Sequence, residues 1–575
     1  MSECKPAVNR PSILFVNLLS TPIDEIEATF RGANTSFQDV VLPLGLMYIS
    51  AYLKAHTPSV RTGLLDFVLP GTRLRQYRTL DDFIRTVIDE QVAFDPDVVA
   101  VSLNLSLSYP FFIRVLAVLK HRWTGAYTIV GGAHATNETA VLLEHPHVDA
   151  VLRGEGEIAF RDFVDRFPNV GTIDGLYTKS TIVSSSELKT AMPVRDLDLI
   201  PYPDWDLVDM PAYVTGITRL PKRDTGSAQA HRMAEIVTSR GCPHRCTFCS
   251  SHTVHGRKVR QRSVSNIVGE IRELHRRFGV NRFLPEDDYF TANKKQTLAL
   301  VEAVRSLDIP NFELQYPNGL SVRAMDEEQL DALISVGMSI AIYAIESGSE
   351  TVQRRLIKKN CDLDKATALI KRTRQMGVRT RCFYILGFPG ETRAQMAQTI
   401  AFAKTAGADW SDFFVATPLV GSKMYDEFVD MGVIDAHDAT LFSGHYRGRA
   451  FDTPEISAAE LNDLVYRANL ECNFISNINV REGRWDVALS LFEDVTAKYP
   501  FHIFARYMAA CCWTHLGAPE KLMALDAEIS MLIATDARAK EMYLKYGDLL
   551  TDQWGAFPLG LFSNDGDAAR RSCRL

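Results

Sequence analysis

Ser239-Arg-Gly-Cys-Pro-His-Arg-Cys-Thr-Phe-Cys-Ser250 sets Cys242, Cys246 and Cys249 in a C-x3-C-x2-C triplet flanked by glycine, proline and arginine. Three thiolates this close can each bind one iron of a [4Fe-4S] cubane, leaving the fourth iron open to an outside ligand. An open iron implies chemistry rather than electron storage. A zinc knuckle is the alternative, but structural zinc wants four Cys or His ligands in paired spacings. His244 can be the fourth only by folding back inside its own tight loop.

Around this triplet lies a chain of 575 residues, beyond the size at which one core stops growing, so about three or four domains are expected. With 46% apolar and 23% charged residues the composition is that of an ordinary globular protein. A net charge of −7 gives no electrostatic case for nucleic acid. Ten cysteines in so long a chain do not make a disulfide framework, and a reducing cytoplasm suits the clustered thiols. Met1 to Pro11 is polar, the apolar run Ile13 to Leu19 is short and lacks a cleavage site, and no stretch approaches the roughly 18 apolar residues of a membrane span.

Upstream of the triplet, Ile13–Asn17, Thr62–Asp66, Val98–Ser102 and Tyr127–Gly131 read as buried parallel strands, with helices near 45–55, 80–92, 111–123 and 138–144 between them. This is a doubly wound α/β pattern, whose ligands sit beyond the carboxyl ends of the strands. Loops Asn104 to Ser108, Gly131-Gly-Ala-His-Ala-Thr136 and Gly154-Glu-Gly-Glu157 lie there. Residues 168–232 form a connector carrying Ile200-Pro-Tyr-Pro-Asp204, with a flexible portion near 221–231. A second alternation follows, with strands Ala234–Ser239, Arg282–Pro285, Glu313–Tyr316, Ser339–Ala344, Arg379–Ile385 and Phe413–Thr417. Helices fill the gaps near 263–278, 293–307, 326–336, 363–376 and 392–406. Beyond about 445 the pattern is helical, with at most one and a half tetratricopeptide-like units, so a helical cap is expected rather than a repeat array. The polar tail from Asp565 is expected to fray.

The triplet, with Phe248 before its last cysteine, resembles the cluster loop of radical S-adenosylmethionine enzymes. The glycine-bearing loops and Pro43-Leu-Gly-Leu-Met-Tyr48 resemble the cobalamin-binding domain that precedes the catalytic barrel in one large subclass, where the Pro-Tyr-Pro-Asp-Trp element also recurs. The resemblance implies a Rossmann- or flavodoxin-like cobalamin domain over 1–195, a linker over 196–231, a partial (β/α)6 TIM-like barrel over 232–444 and a helical domain over 445–575. It assigns cobalamin to loops containing Asn104, Ser106, Gly131, Gly132, Gly154 and Glu155. The D-x-H-x-x-G box of other cobalamin carriers is absent: Val68 stands where its histidine would be, in Asp66-Phe-Val-Leu-Pro-Gly71, so no histidine from that box lies beneath cobalt. His134 reads as a loop or structural histidine rather than a cobalt ligand.

For S-adenosylmethionine the resemblance assigns Glu286 and Asp287 to the amino group, Glu346 and Ser347 to the ribose, and Ile385, Gly387 and Thr417 to the adenine side; Arg323 is a candidate for the carboxylate. The implied reaction forms a 5′-deoxyadenosyl radical and moves methyl from methylcobalamin to an unactivated carbon of a small-molecule or peptide-derived substrate. It needs an external electron donor such as flavodoxin or ferredoxin, and the chain is expected to act as a monomer without nucleic acid. Cobalamin-dependent cyclase or oxidase chemistry is the alternative. A transfer RNA methylthiotransferase fits less well, because only Cys4 precedes Cys242. A non-catalytic scaffold with a degenerate barrel would not need three intact cluster cysteines.

Overall fold

A computed structural model describes residues 10–32, 40–182, 187–217, 231–436, 448–518 and 520–550. The stretch 218–230, which holds most of the flexible portion expected in the connector, and the tail from Asp565 lie outside these residues.

The first sheet contains β1 (Ser12–Asn17), β2 (Arg61–Asp66), β3 (Val98–Ser102), β4 (Tyr127–Gly131), β5 (Ala150–Leu152) and β6 (Leu176–Thr178), in the order β2-β1-β3-β4-β5-β6. All neighbours run parallel except β6, which is antiparallel to β5. Alternation shows why the strands are apolar throughout. Leu14 and Val16 face one buried cluster with Val99, Val101 and Val130, while Ile13 and Phe15 face another with Val98, Ala100 and Ile129. Both faces are covered by helices, so neither parity can be polar. Each fully buried residue of this kind contributes about 1.5–3 kcal/mol before entropy is counted. The short β5 and β6 escaped the sequence reading because three residues carry too little periodicity.

The second unit contains β7 (Met233–Ile236), β8 (Ser239–Arg240), β9 (Arg260–Gln261), β10 (Arg282–Pro285), β11 (Glu313–Leu314), β12 (Ile340–Glu346), β13 (Arg379–Leu386) and β14 (Trp410–Val415). Sheets β11-β10-β7 and β12-β13-β14 are parallel. Leu320 joins them by donating to Ile342 (2.6 Å) and accepting from Ala344 (3.2 Å), so six strands curve into an open barrel. The intervening helices begin where side chains cap them: Ser263, Asn293, Asp326, Asp362 and Thr392 each accept from a backbone N–H in the first turn.

Two expected strands differ most, while the third ends at Leu314 and the fourth runs from Ile340 on to Glu346. The first breaks after Ile236 because Thr238 N–H donates to the Asp287 carboxylate (2.7 Å), and β8 then pairs antiparallel with β9. The sixth starts earlier, at Trp410, and leaves Thr417 beyond its end. Its edge is closed by Asn473, whose side-chain amide donates to Ser411 O and accepts from Ser411 N, both at 2.7 Å. That amide occupies backbone groups an open edge would offer to another strand. Asn473 belongs to the helical C-terminal region, whose own core includes Phe474, Phe492, Phe504 and Met508.

The connector ties the units together. Tyr213 donates to Asp66 at 2.8 Å, Ser50 and Lys54 reach Asp204 at 2.6 Å, and Tyr202 donates to Asn266 O at 3.0 Å. Among the described residues no helix is long and apolar enough to cross a membrane.

Candidate functional site

The cysteine triplet hangs between β8 and β9. Gly241 turns the chain with φ +93°, and a Cβ there would lie 2.5 Å from Lys258 O, so only glycine fits. Cys242 N–H donates to Gly256 O (3.3 Å), closing the loop base. Its far side is strapped to the barrel: Thr247 donates to Ile357 O (3.1 Å) and Leu356 O (2.9 Å), and Met424 N–H donates to Thr247 O (2.8 Å). The three thiols are half-buried and unbridged. Burial raises the thiols of Cys242 and Cys246, the latter to about 11. Among the described residues no three His, Cys, Asp or Glu side chains converge on a single ion. A cubane asks each thiolate to take a different iron, so its donors need not converge. His244 does not fold back as a fourth ligand; its ring stands edge-on to Tyr289 at 4.7 Å.

Around this loop stand the carboxyl ends of the barrel strands. After β10, successive side chains diverge. Asp287 is buried and accepts from Thr238 N–H (2.7 Å), Ser239 Oγ (2.6 Å) and Thr238 Oγ. Burial pushes its carboxyl up to about 6. In this structure Asp287 brackets the turn that bends the first strand toward the cluster loop. Glu286 instead meets Asn318 (2.9 Å) at the mouth, and Asp288 takes Gly241 N–H (3.0 Å).

At the end of β12, Glu346 has φ +71° and pairs with Lys359 at 2.7 Å. Lys358 (φ +53°) and Asn360 (φ +55°) are also left-handed, so three of these conformations, each costing about 1–3 kcal/mol, converge on one ion pair. Lys359 Nζ lies 5.9 Å from the Phe248 ring, and its charge opposes the burial that raises Cys246. The sequence reading missed Lys359. Its one signal was the doublet Lys358-Lys359 soon after the Glu346-Ser-Gly-Ser segment. Ser347 is fully buried, bonded to Thr399 Oγ1 (3.0 Å) and accepting from Ser349 N–H (3.1 Å). These bonds shape the turn after β12.

After β13, Gly387 has φ +87°, and a Cβ there would meet Leu461 at 2.5 Å. Glu391 accepts from Gly387 N–H (2.7 Å) and Phe388 N–H (3.1 Å), while Arg449 donates to Gly387 O (3.0 Å). Neither Glu391 nor Arg449 figured in the sequence reading as a supporting group. Burial raises Glu391 from 4.5 to about 7. A raised carboxyl favours the folded state below its ordinary range and loses that contribution as pH climbs through its folded value. The apo chain is thus expected to lose about 3 kcal/mol at this site between pH 4.5 and 7. Glu391→Gln, keeping one acceptor, should flatten that slope in denaturant melts; an unchanged slope would refute it. Ile385, Phe248 and Phe388 share an apolar cluster with Leu107 of the first unit. Thr417 is half-buried and donates to Val415 O (3.1 Å).

The loops of the first sheet face this mouth. Gly132 has φ +110°, and a Cβ would sit 2.6 Å from Leu103 O and 2.7 Å from Asn104 Oδ1. Asn104 holds Ser102 (3.1 Å) and Ala133 N–H (3.3 Å). Gly131 has only an ordinary contact, 3.8 Å from Leu152 O, whereas at Gly154 (φ +82°) a Cβ would lie 2.8 Å from Thr190. Ser106 Oγ meets His134 Nδ1 at 2.9 Å, and burial lowers His134 to about 4, so this imidazole is neutral.

Glu155, in a loop expected to meet cobalamin, has its carboxylate engaged by the segment around the cysteines. It is buried against Arg240 (2.8 Å), Arg260 and His255 (3.3 Å), all from the segment that brackets the cysteines, and Glu157 adds a second contact to Arg240 at 2.8 Å. Burial opposes its ionisation, but the His255 hydrogen bond and the two guanidinium charges outweigh it and hold Glu155 at about 2. Asn137 adds a bond to Thr253 (3.1 Å) and packs where a Cβ on Gly421 would lie 2.2 Å away.

Comparison with known proteins places these observations. Residues 31–164 match the B12 binding domain and residues 236–403 the Radical SAM superfamily. The chain is similar to cytidylyl-2-hydroxyethylphosphonate methyltransferase of Streptomyces wedmorensis, 29% identical over 75% of this chain and 86% of that one. It is also similar to the anaerobic magnesium-protoporphyrin IX monomethyl ester cyclase of Rubrivivax gelatinosus, 24% identical over 68% and 66% of the two chains. In fold it resembles the cobalamin-dependent S-adenosylmethionine radical enzyme OxsB, solved with aqua-cobalamin and S-adenosylmethionine, at TM-score 0.61, 14% identity and coverage of 98% and 83%. This chain therefore carries a B12 binding domain and a radical SAM domain and is homologous to the cobalamin-dependent radical SAM methyltransferases.

Proposed function

We propose that the chain methylates an unactivated carbon of a small molecule. The observation that carries this reading is the facing of two loop sets: Leu107 and Ser106 on one side, Phe248, Ile385 and Phe388 on the other, fastened by the Glu155 ion-pair group. When bound, a [4Fe-4S] cluster supplies the electron that splits S-adenosylmethionine, and cobalamin carries the methyl group. Cys242, Cys246 and Cys249 would hold the cluster. Glu286, bonded to Asn318, would hold the amino group, and the Glu346–Lys359 pair supplies a carboxylate and a cation at the end of β12. Ile385 and Phe388 exclude water from the adenine side. The loops at Asn104, Gly132 and Gly154 would admit cobalamin, with neutral His134 behind Ser106. Reduced thiols of this kind fit a reducing cytoplasm.

Anaerobic reconstitution with iron, sulfide, cobalamin and methyl-labelled S-adenosylmethionine tests the reading on phosphonate-type and other small substrates. Label in product supports it. Substrate turnover without label in product would shift it to cyclase chemistry, the reading favoured by the Rubrivivax relative. Gly132→Ala should cut cobalamin retention by about tenfold or more, because its Cβ collides with Leu103 O rather than with a movable side chain. Retention equal to the parent on gel filtration would remove Gly132 from the cobalamin site.

A further inference from the structure

The chain is acidic overall, yet the stretch around the cysteines is not. From Ile236 to Gly269 there is no Asp or Glu, but six Lys or Arg. Arg240, Arg260 and Arg262 are buried in ion pairs, so they do not colour the surface. Arg245, Arg257 and Lys258 are exposed, and Arg257 is held against the loop by its bond to His244 O (2.5 Å). A second acid-free stretch, Thr351 to Cys361, brings exposed Arg355 and Lys358 to the same place, because the bonds from Thr247 to Leu356 O and Ile357 O clamp it to the cysteine loop. No side-chain ion pair to a carboxylate is found for any of these five among the described residues. Five exposed cations therefore lie on the cysteine segment and on the stretch clamped to it.

We infer that this rim is the docking surface for an acidic one-electron carrier protein. The inference rests on the proposed function, since only a cluster that must be reduced from outside needs such a partner. One electron leaves the reduced carrier, which is oxidised by one electron, and reduces the cluster by one. Opposite charge steers the encounter and favours a short path, and exposed rim charges act mainly on association.

Flavodoxin, an acidic flavin protein, is the probe. In Lys258→Glu/Arg355→Glu its dissociation constant from the reconstituted enzyme is expected to rise about tenfold or more at low ionic strength, and the difference to vanish at high salt. Flavodoxin-driven cleavage of S-adenosylmethionine should fall in step, while dithionite-driven cleavage stays at the parent rate. Lys540→Glu/Lys545→Glu, which changes net charge equally on a distant helix, should leave both unchanged. A dissociation constant within about twofold of the parent's overturns the inference. So does an equal loss in the distant variant. Absence of dithionite-driven cleavage in the parent would sink the functional reading, while the binding measurement would still decide this one.

Discussion

Cys246→Ala is expected to lower cleavage of S-adenosylmethionine by at least about three orders of magnitude, the scale on which members of one catalytic unit act. Cys246 is fixed in place by its neighbour Thr247, which is strapped to the barrel on two sides. Iron and sulfide per chain should drop with activity. Cys361→Ser, a half-buried cysteine outside the triplet, should retain both. Full cluster occupancy in Cys246→Ala would show that the triplet is not the ligand set. The fold should survive the change, because Cys246 is half-buried and the loop's backbone bonds do not involve its side chain.

Glu155→Gln should have the largest effect on stability. Removing one member of a buried ion pair costs about 3–5 kcal/mol, since the partner charge stays buried. Here Arg240 keeps Glu157, while Arg260 keeps only its bond to Val194 O (2.6 Å), so the lower end of that range is expected. The corresponding fall in melting temperature is roughly 6–12 °C. Glu155 and Glu157 belong to the B12 binding unit and Arg240 and Arg260 to the hairpin around the cysteines, so the loss should also loosen the spacing between the two cofactor sites. Formation of 5′-deoxyadenosine should persist while methyl transfer per cleavage falls. Glu155→Gln combined with Arg260→Met should recover part of the stability, because the stranded charge leaves with its partner. A melting temperature within about 1 °C of the parent in the single variant would contradict this account.

Much of the architecture was legible in order along the chain. Strands buried on both faces are apolar at both parities, so Ile13–Asn17 and Val98–Ser102 stand out without any partner being known. Helix starts such as Thr392 with Gln395 write their own hydrogen bonds into neighbouring residues. The boundary errors have long-range causes. The split between β7 and β8 comes from Asp287, 49 residues away from Thr238.

The sequence by itself determined the two alternations, the triplet and the order of the motifs, because periodicity, capping and ligand spacing are all properties of near neighbours. Only the tertiary structure decided which acids are paired with buried donors. Asp287 and Glu155 look like site residues in the chain, but folding brings each to buried donors from distant segments, and a carboxylate out of water must satisfy those first. Lys359 is the converse. It is an unremarked lysine in the sequence, carried to the cluster loop by two left-handed neighbours and the carboxylate of Glu346. Long-range pairing of charge is what a linear pattern does not contain.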